Sequence, residues 1–216
     1  MSDTHSDVTS VSEENLQREE LGRTVPAQGL NLRWRLANGD LPLRERHLRS
    51  LADLGVGSPM QSWMRTRLEY VLENHAVENP NGTLHIQMDG EGRTTFEVGP
   101  LGEMPTLSVA DLLERDGAVV GCSVPGTVWL AADNSLIAAT DRKLIDAAAT
   151  TVRDLAKTLG YEVAERPVPS EQVRAQGAEV FLVSDEFGVV AFEGHGGAIA
   201  TKFTELLNRV LKPPKK

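Results

Sequence analysis

Alternating and helical hydrophobic patterns divide the first half of the chain into strands and amphipathic helices. Apolar and polar residues alternate through "LNLRWRL" at 30–36, and the "NG" that follows is typical of a hairpin turn, so 29–43 is predicted to be a β-hairpin. Leucines at helical spacing predict a helix over 44–55. A second helix is predicted over 58–76, with Ser58 as N-cap and Pro59 at the first helical position. Two strands around a glycine-rich turn are predicted at 82–100.

The second half combines short strands with two strongly patterned helices. Residues 107–140 are predicted to form short strands separated by turns. Residues 144–160 predict a helix with Asp146 in N-cap position and Gly160 as C-cap. The remaining elements are a strand at 161–169, a short helix at 170–177, a strand pair at 178–193 and an amphipathic helix at 198–211.

These elements predict an α+β protein with two domains. We place a smaller amino-terminal domain at 25–104 and a carboxy-terminal domain at 105–211. Residues 1–24 are polar and acid-rich and are predicted to be disordered, and 212–216 form a short basic tail.

Composition and charge exclude several classes of function. The chain has 216 residues, 40% hydrophobic and 25% charged, which suits a protein with a substantial core. Its net charge of -9 argues against general nucleic-acid binding, which needs a basic surface. One cysteine, Cys122, excludes a disulfide framework and favours the cytoplasm. No run of about 18 apolar residues exists to span a membrane.

The order of motifs resembles the class IV aminotransferases, the fold shared by D-amino acid and branched-chain aminotransferases and 4-amino-4-deoxychorismate lyases. The segment "LANGDLPLRERHLRSLADLG" is similar to the first hairpin and the helix that carries H-x-x-R-L. The segment "VADLLERDGAVVGCSVPGTVWL" is similar to the block that contains G-x-V-x-E, and "LAKTLGYEVAERPV" and "AEVFLVSDEFGVV" are similar to the next two blocks. The resemblance covers about residues 30–210 and implies the D-amino acid aminotransferase-like two-domain fold.

The resemblance also implies pyridoxal phosphate, whose chemistry requires a lysine that this sequence lacks at the expected place. A lysine amine must form a Schiff base with the aldehyde. In the family that lysine precedes the G-x-V-x-E block, whereas the first lysine of this chain, Lys143, follows it. Lys143 itself is expected to be a solvated loop charge.

The other cofactor anchors of the family are replaced as well. The acidic partner of the ring nitrogen and the asparagine that follows it fall on Gly121 and Gly126. The phosphate-binding arginine falls on Ser50, with Arg49 one residue away and about 100° around the helix. Phosphate donors of the family fall on two further runs, which are Asp146, Ala147 and Ala148, and Ser184, Asp185 and Glu186. The carboxylates in these runs would repel a phosphate dianion, so the resemblance implies degenerate cofactor positions.

Single candidate residues outside this pattern have structural interpretations. His47 could act as a general base, but in this helix it is expected to pack or cap at the domain surface. Cys122 beside Ser123 could be a nucleophile, but a lone cysteine of this kind is expected to fill apolar space.

Two hypotheses about function follow. The first is a non-catalytic descendant of the class IV fold that needs no cofactor and binds a small metabolite or a protein partner, as a homodimer or as a heterodimer with an active paralogue. The second is a pyridoxal-phosphate-dependent aminotransferase or 4-amino-4-deoxychorismate lyase, acting on amino-acid-like substrates with a displaced lysine such as Lys143 or Lys202.

Overall fold

The computed structural model describes residues 25–113, 118–119, 126–174 and 177–212. Strands and helices are mixed along these segments, so the α+β class predicted from the sequence is confirmed. The predicted disorder of residues 1–24, the positions of Gly121 and Cys122 and most of the basic tail lie outside the described residues.

The first sheet contains three antiparallel strands in the spatial order β1-β2-β3. Their bounds are Leu30–Arg35, Thr83–Met88 and Thr94–Gly99. Strand β1 pairs with β2 along its whole length, so that Leu30 lies opposite Met88 and Arg35 lies opposite Thr83. The two strands predicted at 82–100 are confirmed as β2 and β3, which pair as a hairpin.

The predicted hairpin at 29–43 is wrong in its second arm. Its turn forms, since Asn38 and Gly39 take the positive φ angles of 53° and 78° that such turns need. A β-bridge between Ala37 and Asp40 closes the turn, but the chain then enters a helix at Arg44. The partner of β1 is supplied by β2 instead, about fifty residues further along the chain.

Two helices, α1 (Arg44–Asp53) and α2 (Ser58–His75), pack with the first sheet. The N-cap of α2 is Gly57, so the predicted N-cap at Ser58 is wrong by one residue, and Pro59 occupies the second helical position. The apolar sides of α1, α2 and the sheet share one core. Its most buried members include Trp34, Leu36, Leu51, Met60, Met64, Leu68, Leu84 and Ile86.

The second sheet has five strands in the spatial order β10-β9-β5-β6-β7. In chain order their bounds are β5 Thr127–Ala132, β6 Ser135–Ala139, β7 Glu162–Arg166, β9 Glu179–Ser184 and β10 Gly188–Ala191. All pairs are antiparallel except β6 with β7. A helix, α4 (Ala147–Thr158), makes the crossover that this parallel pair requires.

The remaining elements surround this sheet. They are helix α3 (Val109–Leu113), the strand pair β4 (Ala118–Val119) with β8 (Val168–Pro169), helix α5 (Ser170–Arg174) and helix α6 (Ala198–Val210). The predictions of α4, α5, α6 and the β9–β10 pair are confirmed, but the C-cap of α4 is Leu159, one residue before the predicted Gly160. The prediction of strands from residue 107 onward is wrong at its start, because Val109–Leu113 is helical.

Both faces of the second sheet are buried. Along β9, Phe181 and Val183 join the core formed with α4 and α6, while Val180 and Leu182 join the core on the opposite face. This alternation is the period of two that a strand dictates. A strand covered on both sides therefore appears in the sequence as the continuous apolar run "VFLV".

The turn between β9 and β10 joins the two sheets. The backbone N–H of Arg35, at the end of β1, donates to the carbonyl oxygen of Asp185 at 3.0 Å. The hydroxyl of Thr83 in β2 donates to the carboxylate of Glu186 at 3.4 Å. The start of α4 and His47 of α1 meet at this junction, where the resemblance locates phosphate anchors of the family. None of the helices described is long and apolar enough to cross a membrane.

Candidate functional site

The N-terminus of α4 is the centre of the candidate site. The first N–H groups of a helix have no partner within it and carry partial positive charge, so they bind an anion readily. Here the anion is a side chain of the protein, because the Asp185 carboxylate accepts hydrogen bonds from the N–H groups of Ala147 at 3.3 Å and Ala148 at 2.7 Å. Asp185 lies 38 residues after Ala147 and reaches the helix from the β9–β10 turn. The predicted site residues Ala147, Ala148 and Asp185 are thus brought together.

Asp146 precedes the helix and makes no side-chain capping bond to it. Its carboxylate accepts a hydrogen bond from the hydroxyl of Thr127 at 3.0 Å. Burial, and next to it the negative charge of Asp185, raise the pKa of Asp146 to about 6, although the Thr127 hydrogen bond and His47 act in the opposite direction. Two carboxylates therefore lie at one helix end. Asp185 accepts the hydrogen bonds of the helix, and Asp146 is the one whose pKa is raised.

His47 lies on the other side of Asp185. The ring is 3% exposed and is stacked on the indole of Trp34, with 4.6 Å between ring centroids. Its Nδ1 atom is 3.5 Å from Oδ2 of Asp185, and no hydrogen-bond partner for Nδ1 lies within bonding distance among the described residues. The prediction that His47 packs is confirmed, but the ring is buried and does not lie at the domain surface as predicted. Its contact with Asp185 links α1 to the second sheet.

The other two residues of the 184–186 run are also held by the protein itself. The hydroxyl oxygen of Ser184, at the end of β9, accepts the N–H groups of Glu186 at 3.2 Å and Phe187 at 3.4 Å. Glu186 is 4% exposed, and Arg33 lies 3.6 Å from its carboxylate. Residues 184–186, which align with phosphate donors of the family, therefore stabilise the β9–β10 turn and its contact with the first sheet.

Gly126 and Ser50 have plain structural roles in this fold. Gly126 has a φ angle of 154°, and a Cβ atom there would overlap the carbonyl oxygen of Val183. A side chain such as the family's asparagine therefore does not fit at this position. Ser50 is 9% exposed, and its hydroxyl donates to the carbonyl oxygen of His47 at 2.8 Å within α1. Gly121, the remaining predicted site position, lies outside the described residues.

Two clefts open beside these residues. The first, of about 320 Å³, lies between α1 and α4 and is called here the α1–α4 cleft. The second, of about 530 Å³, is bordered by Gly126, Thr127 and Asp146. Residues 143–145 line both clefts. Both volumes lie near or within the lower part of the range of small-molecule sites.

Lys143 borders both clefts, but its amine is engaged. Its Nζ atom lies 2.9 Å from each carboxylate oxygen of Asp53, and its side chain is 68% exposed. Lys202, the other candidate for a displaced Schiff-base lysine, lies on α6, with its Nζ atom 5.0 Å from the centre of the Tyr161 ring. Lys202 is not among the residues that line either cleft.

The residues at the α4 N-terminus do not fit the phosphate of pyridoxal phosphate. The two N–H donors that such a group would need are already bonded to Asp185, and the Asp146 carboxylate stands beside them. A phosphate would have to displace one carboxylate and approach another at close range, which is electrostatically unfavourable. We therefore derive no chemistry through this cofactor at this position. No group of three or more potential metal ligands occurs within the described residues.

Sequence reasoning missed the ion pair that joins α1 to α4. Arg46 on α1 donates to Asp154 on α4 at 2.9 Å, and Arg153, the neighbour of Asp154 on α4, donates to the same carboxylate at 3.2 Å. The available signal was a pair of basic residues, Arg46 and Arg49, three positions apart on a helix whose other face is apolar, opposite a helix that carries the dipeptide "RD". That signal does not specify which helices meet.

Comparison with solved structures identifies the fold. A 4-amino-4-deoxychorismate lyase from Pseudomonas aeruginosa superposes with a TM-score of 0.61 at 15% identity, over 85% of this chain and 91% of that chain. A hypothetical aminotransferase from Mycobacterium tuberculosis, in a form with α-ketoglutarate and PMP bound, gives a TM-score of 0.63 at 16% identity, over 87% and 90% of the two chains. A fold IV transaminase from Curtobacterium pusillum gives a TM-score of 0.57 at 18% identity, over 86% and 84%.

The protein thus has the fold of the class IV aminotransferases and aminodeoxychorismate lyases, as the sequence resemblance implies. No family model and no curated protein sequence matches the chain. Because the structural likeness comes at such low identity, it establishes the fold alone, and function has to be argued from the site.

Proposed function

We propose that the protein is a small-ligand-binding member of this fold that does not work through pyridoxal phosphate. The observation that carries the proposal is the pair of hydrogen bonds from Ala147 and Ala148 to the Asp185 carboxylate. A helix N-terminus that is satisfied by an internal carboxylate has little affinity left for an external phosphate. The fold and its clefts remain, so binding is retained without the chemistry that the cofactor would supply.

The distribution of lysines supports the same proposal. The first lysine in the sequence, Lys143, follows the strands that in the family lie beyond the Schiff-base position. Its Nζ atom is bonded to both oxygens of Asp53, so the amine is engaged in an ion pair and is not free to attack an aldehyde.

One observation favours a second candidate function. Lys143 borders both clefts, so a ligand aldehyde in either would lie near an amine. On this alternative the protein is a pyridoxal-phosphate-dependent aminotransferase or 4-amino-4-deoxychorismate lyase with a displaced lysine. The ion pair with Asp53 would then have to open before Lys143 could react.

A reduction experiment separates the two functions. The full chain is incubated with pyridoxal phosphate, its absorbance spectrum is recorded for an aldimine, and the mixture is reduced with borohydride and mapped by mass spectrometry. We expect no stoichiometric adduct. A one-to-one adduct on Lys143 that Lys143→Gln abolishes and Lys157→Gln preserves would overturn the proposal, as would a stoichiometric adduct on Lys202. Lys157 is a matched control because it lies in the last turn of α4.

The resemblance also supports a partner chain. We propose that the protein assembles as a homodimer or with a catalytically active paralogue, in the cytoplasm, where its single cysteine suits a reducing environment. Sedimentation velocity tests the homodimer, and a monomer at every concentration would contradict it.

A further inference from the structure

The α1–α4 cleft concentrates positive charge in an otherwise acidic protein. Four cationic side chains line it, against the carboxylates of Asp53 and Asp154; Glu165 lies 3.4 Å from Arg153 as well, which leaves an excess of one positive charge. The cations are Arg46, Arg49, Lys143 and Arg153. The whole chain has a net charge of -9, so this local excess runs against the overall balance. A recessed cationic surface focuses field lines and attracts small anions.

Two of the four cations are fixed by a shared carboxylate. Arg46 donates to Asp154 at 2.9 Å and Arg153 donates to it at 3.2 Å. Burial opposes the ionisation of Asp154, but the hydrogen bonds from Arg46 and Arg153 outweigh it and lower its pKa. Asp154 is therefore ionised and holds both guanidinium groups in place. Side chains ordered in advance lose less entropy when a ligand binds.

Arg49 has capacity for a ligand. Its Nε atom donates to the backbone oxygen of Glu45 at 3.0 Å, which orients the guanidinium. No carboxylate of the described segments lies within 4 Å of it, and the other N–H groups of its planar fork have no protein acceptor among those residues. A guanidinium offers five N–H donors and binds phosphate oxygens two at a time. Lys143, on the opposite wall, adds an ammonium; two of its three N–H donors are bonded to Asp53, which leaves the third for a ligand.

We propose that the α1–α4 cleft binds a small phosphate-bearing anion, held directly by Arg49 and Lys143 and flanked by Arg46 and Arg153. This site uses different residues from the α4 N-terminus, which Asp185 occupies. The inference rests on the proposed function, since it names the class of ligand for a protein that binds without cofactor chemistry. The volume of about 320 Å³ suits a phosphate or a small phosphate monoester.

Titration of the full chain with inorganic phosphate tests the site. The ionic strength is held constant with chloride, and binding is followed by calorimetry. We expect saturable one-to-one binding with a dissociation constant of about 1 mM or tighter. Arg49→Gln and Lys143→Gln should each weaken it by at least about tenfold, since each removes a charge-assisted hydrogen bond. Both side chains are exposed, so the variants are expected to fold, which circular dichroism checks.

A matched control separates a specific site from general attraction. Arg209→Gln removes an equally exposed positive charge from the last turn of α6, outside the cleft, and should leave the dissociation constant unchanged. Absence of saturable binding would overturn the inference, and so would equal weakening by all three variants. Either result leaves the proposed function intact if no pyridoxal phosphate adduct forms. A stoichiometric adduct would instead refute the proposed function, whatever phosphate does.

Discussion

Replacing Asp146 with asparagine should make the protein more stable at neutral pH. The carboxylate lies beside Asp185 at the start of α4 and accepts one hydrogen bond, from Thr127. Asparagine keeps an oxygen of the same shape for that hydrogen bond and suits the position before a helix. It removes the charge that burial and Asp185 disfavour. The expected gain therefore comes from charge alone.

The size of this gain follows from the pKa of Asp146. Folding raises that pKa from 3.8 to about 6, a shift of about two units, which corresponds to about 3 kcal/mol. Because the folded-state pKa lies above the unfolded one, the neutral carboxyl favours the fold. Its stabilising effect is complete below about pH 3.8 and is lost as the pH rises through about 6. The unfolding free energy of Asp146→Asn minus that of the natural protein should thus increase with pH.

Urea unfolding at a series of pH values measures this difference. Between pH 5 and pH 8 we expect it to increase by about 1.5 kcal/mol, because about half of the effect has already developed at pH 5. Asp141→Asn is the control, since it makes the same substitution outside the helix end, at a side chain that is 59% exposed. A difference for Asp146→Asn that does not change with pH, or one that favours the natural protein at pH 8, would refute the reasoning. Either would mean that the fold stabilises the charge.

Three further substitutions test the contacts around the site and at α6 by chemical unfolding at pH 7. Asp185→Ala should cost about 2 kcal/mol or more, because it leaves two helix N–H groups without their acceptor and removes the 3.5 Å contact with His47, whereas Asp185→Asn should recover part of the loss; equal losses would contradict this account. Gly126→Ala should cost about 2 kcal/mol or more through its backbone conformation and a clash, and Gly99→Ala, which meets open space, should be close to neutral. Glu179→Gln should cost about 1 kcal/mol, since its carboxylate accepts the first N–H groups of α6 at 3.1 and 2.8 Å, and an unchanged midpoint would exclude a role for that charge.

The sequence predicts local elements well where one physical pattern dominates. Helices α4 and α6 follow from apolar spacing, and the strand β9 from a continuous apolar run. The predicted partner of β1 was wrong, although the turn at Asn38 and Gly39 was predicted correctly. Turn chemistry specifies where the chain reverses. It does not specify whether the next residues extend into a strand, and here they lead into α1.

The candidate site shows a similar limit. Asp146 was correctly placed in N-cap position, yet its side chain does not cap the helix. The bonds to the helix come from Asp185, 38 residues further along, because the β9–β10 turn brings that carboxylate to the helix end. Local capping rules consider neighbours in sequence and cannot anticipate an acceptor supplied by tertiary structure. The meeting of four cationic side chains in the α1–α4 cleft was not predicted for the same reason, because tertiary structure brings them together.

The pair Asp146 and Asp185 also explains why one substitution would not create a phosphate site at α4. The helix end attracts a single negative charge, and Asp185 supplies it at 2.7 Å from the Ala148 nitrogen. Removing Asp185 alone would free the N–H donors but leave the Asp146 carboxylate beside them. Without the charge of Asp185 the pKa of Asp146 would be lower, so the carboxylate would be ionised at neutral pH and would repel a dianion. Removing Asp146 alone would leave the donors bonded. Both carboxylates would have to be removed before a phosphate could bind, because each one by itself disfavours a phosphate at this helix end.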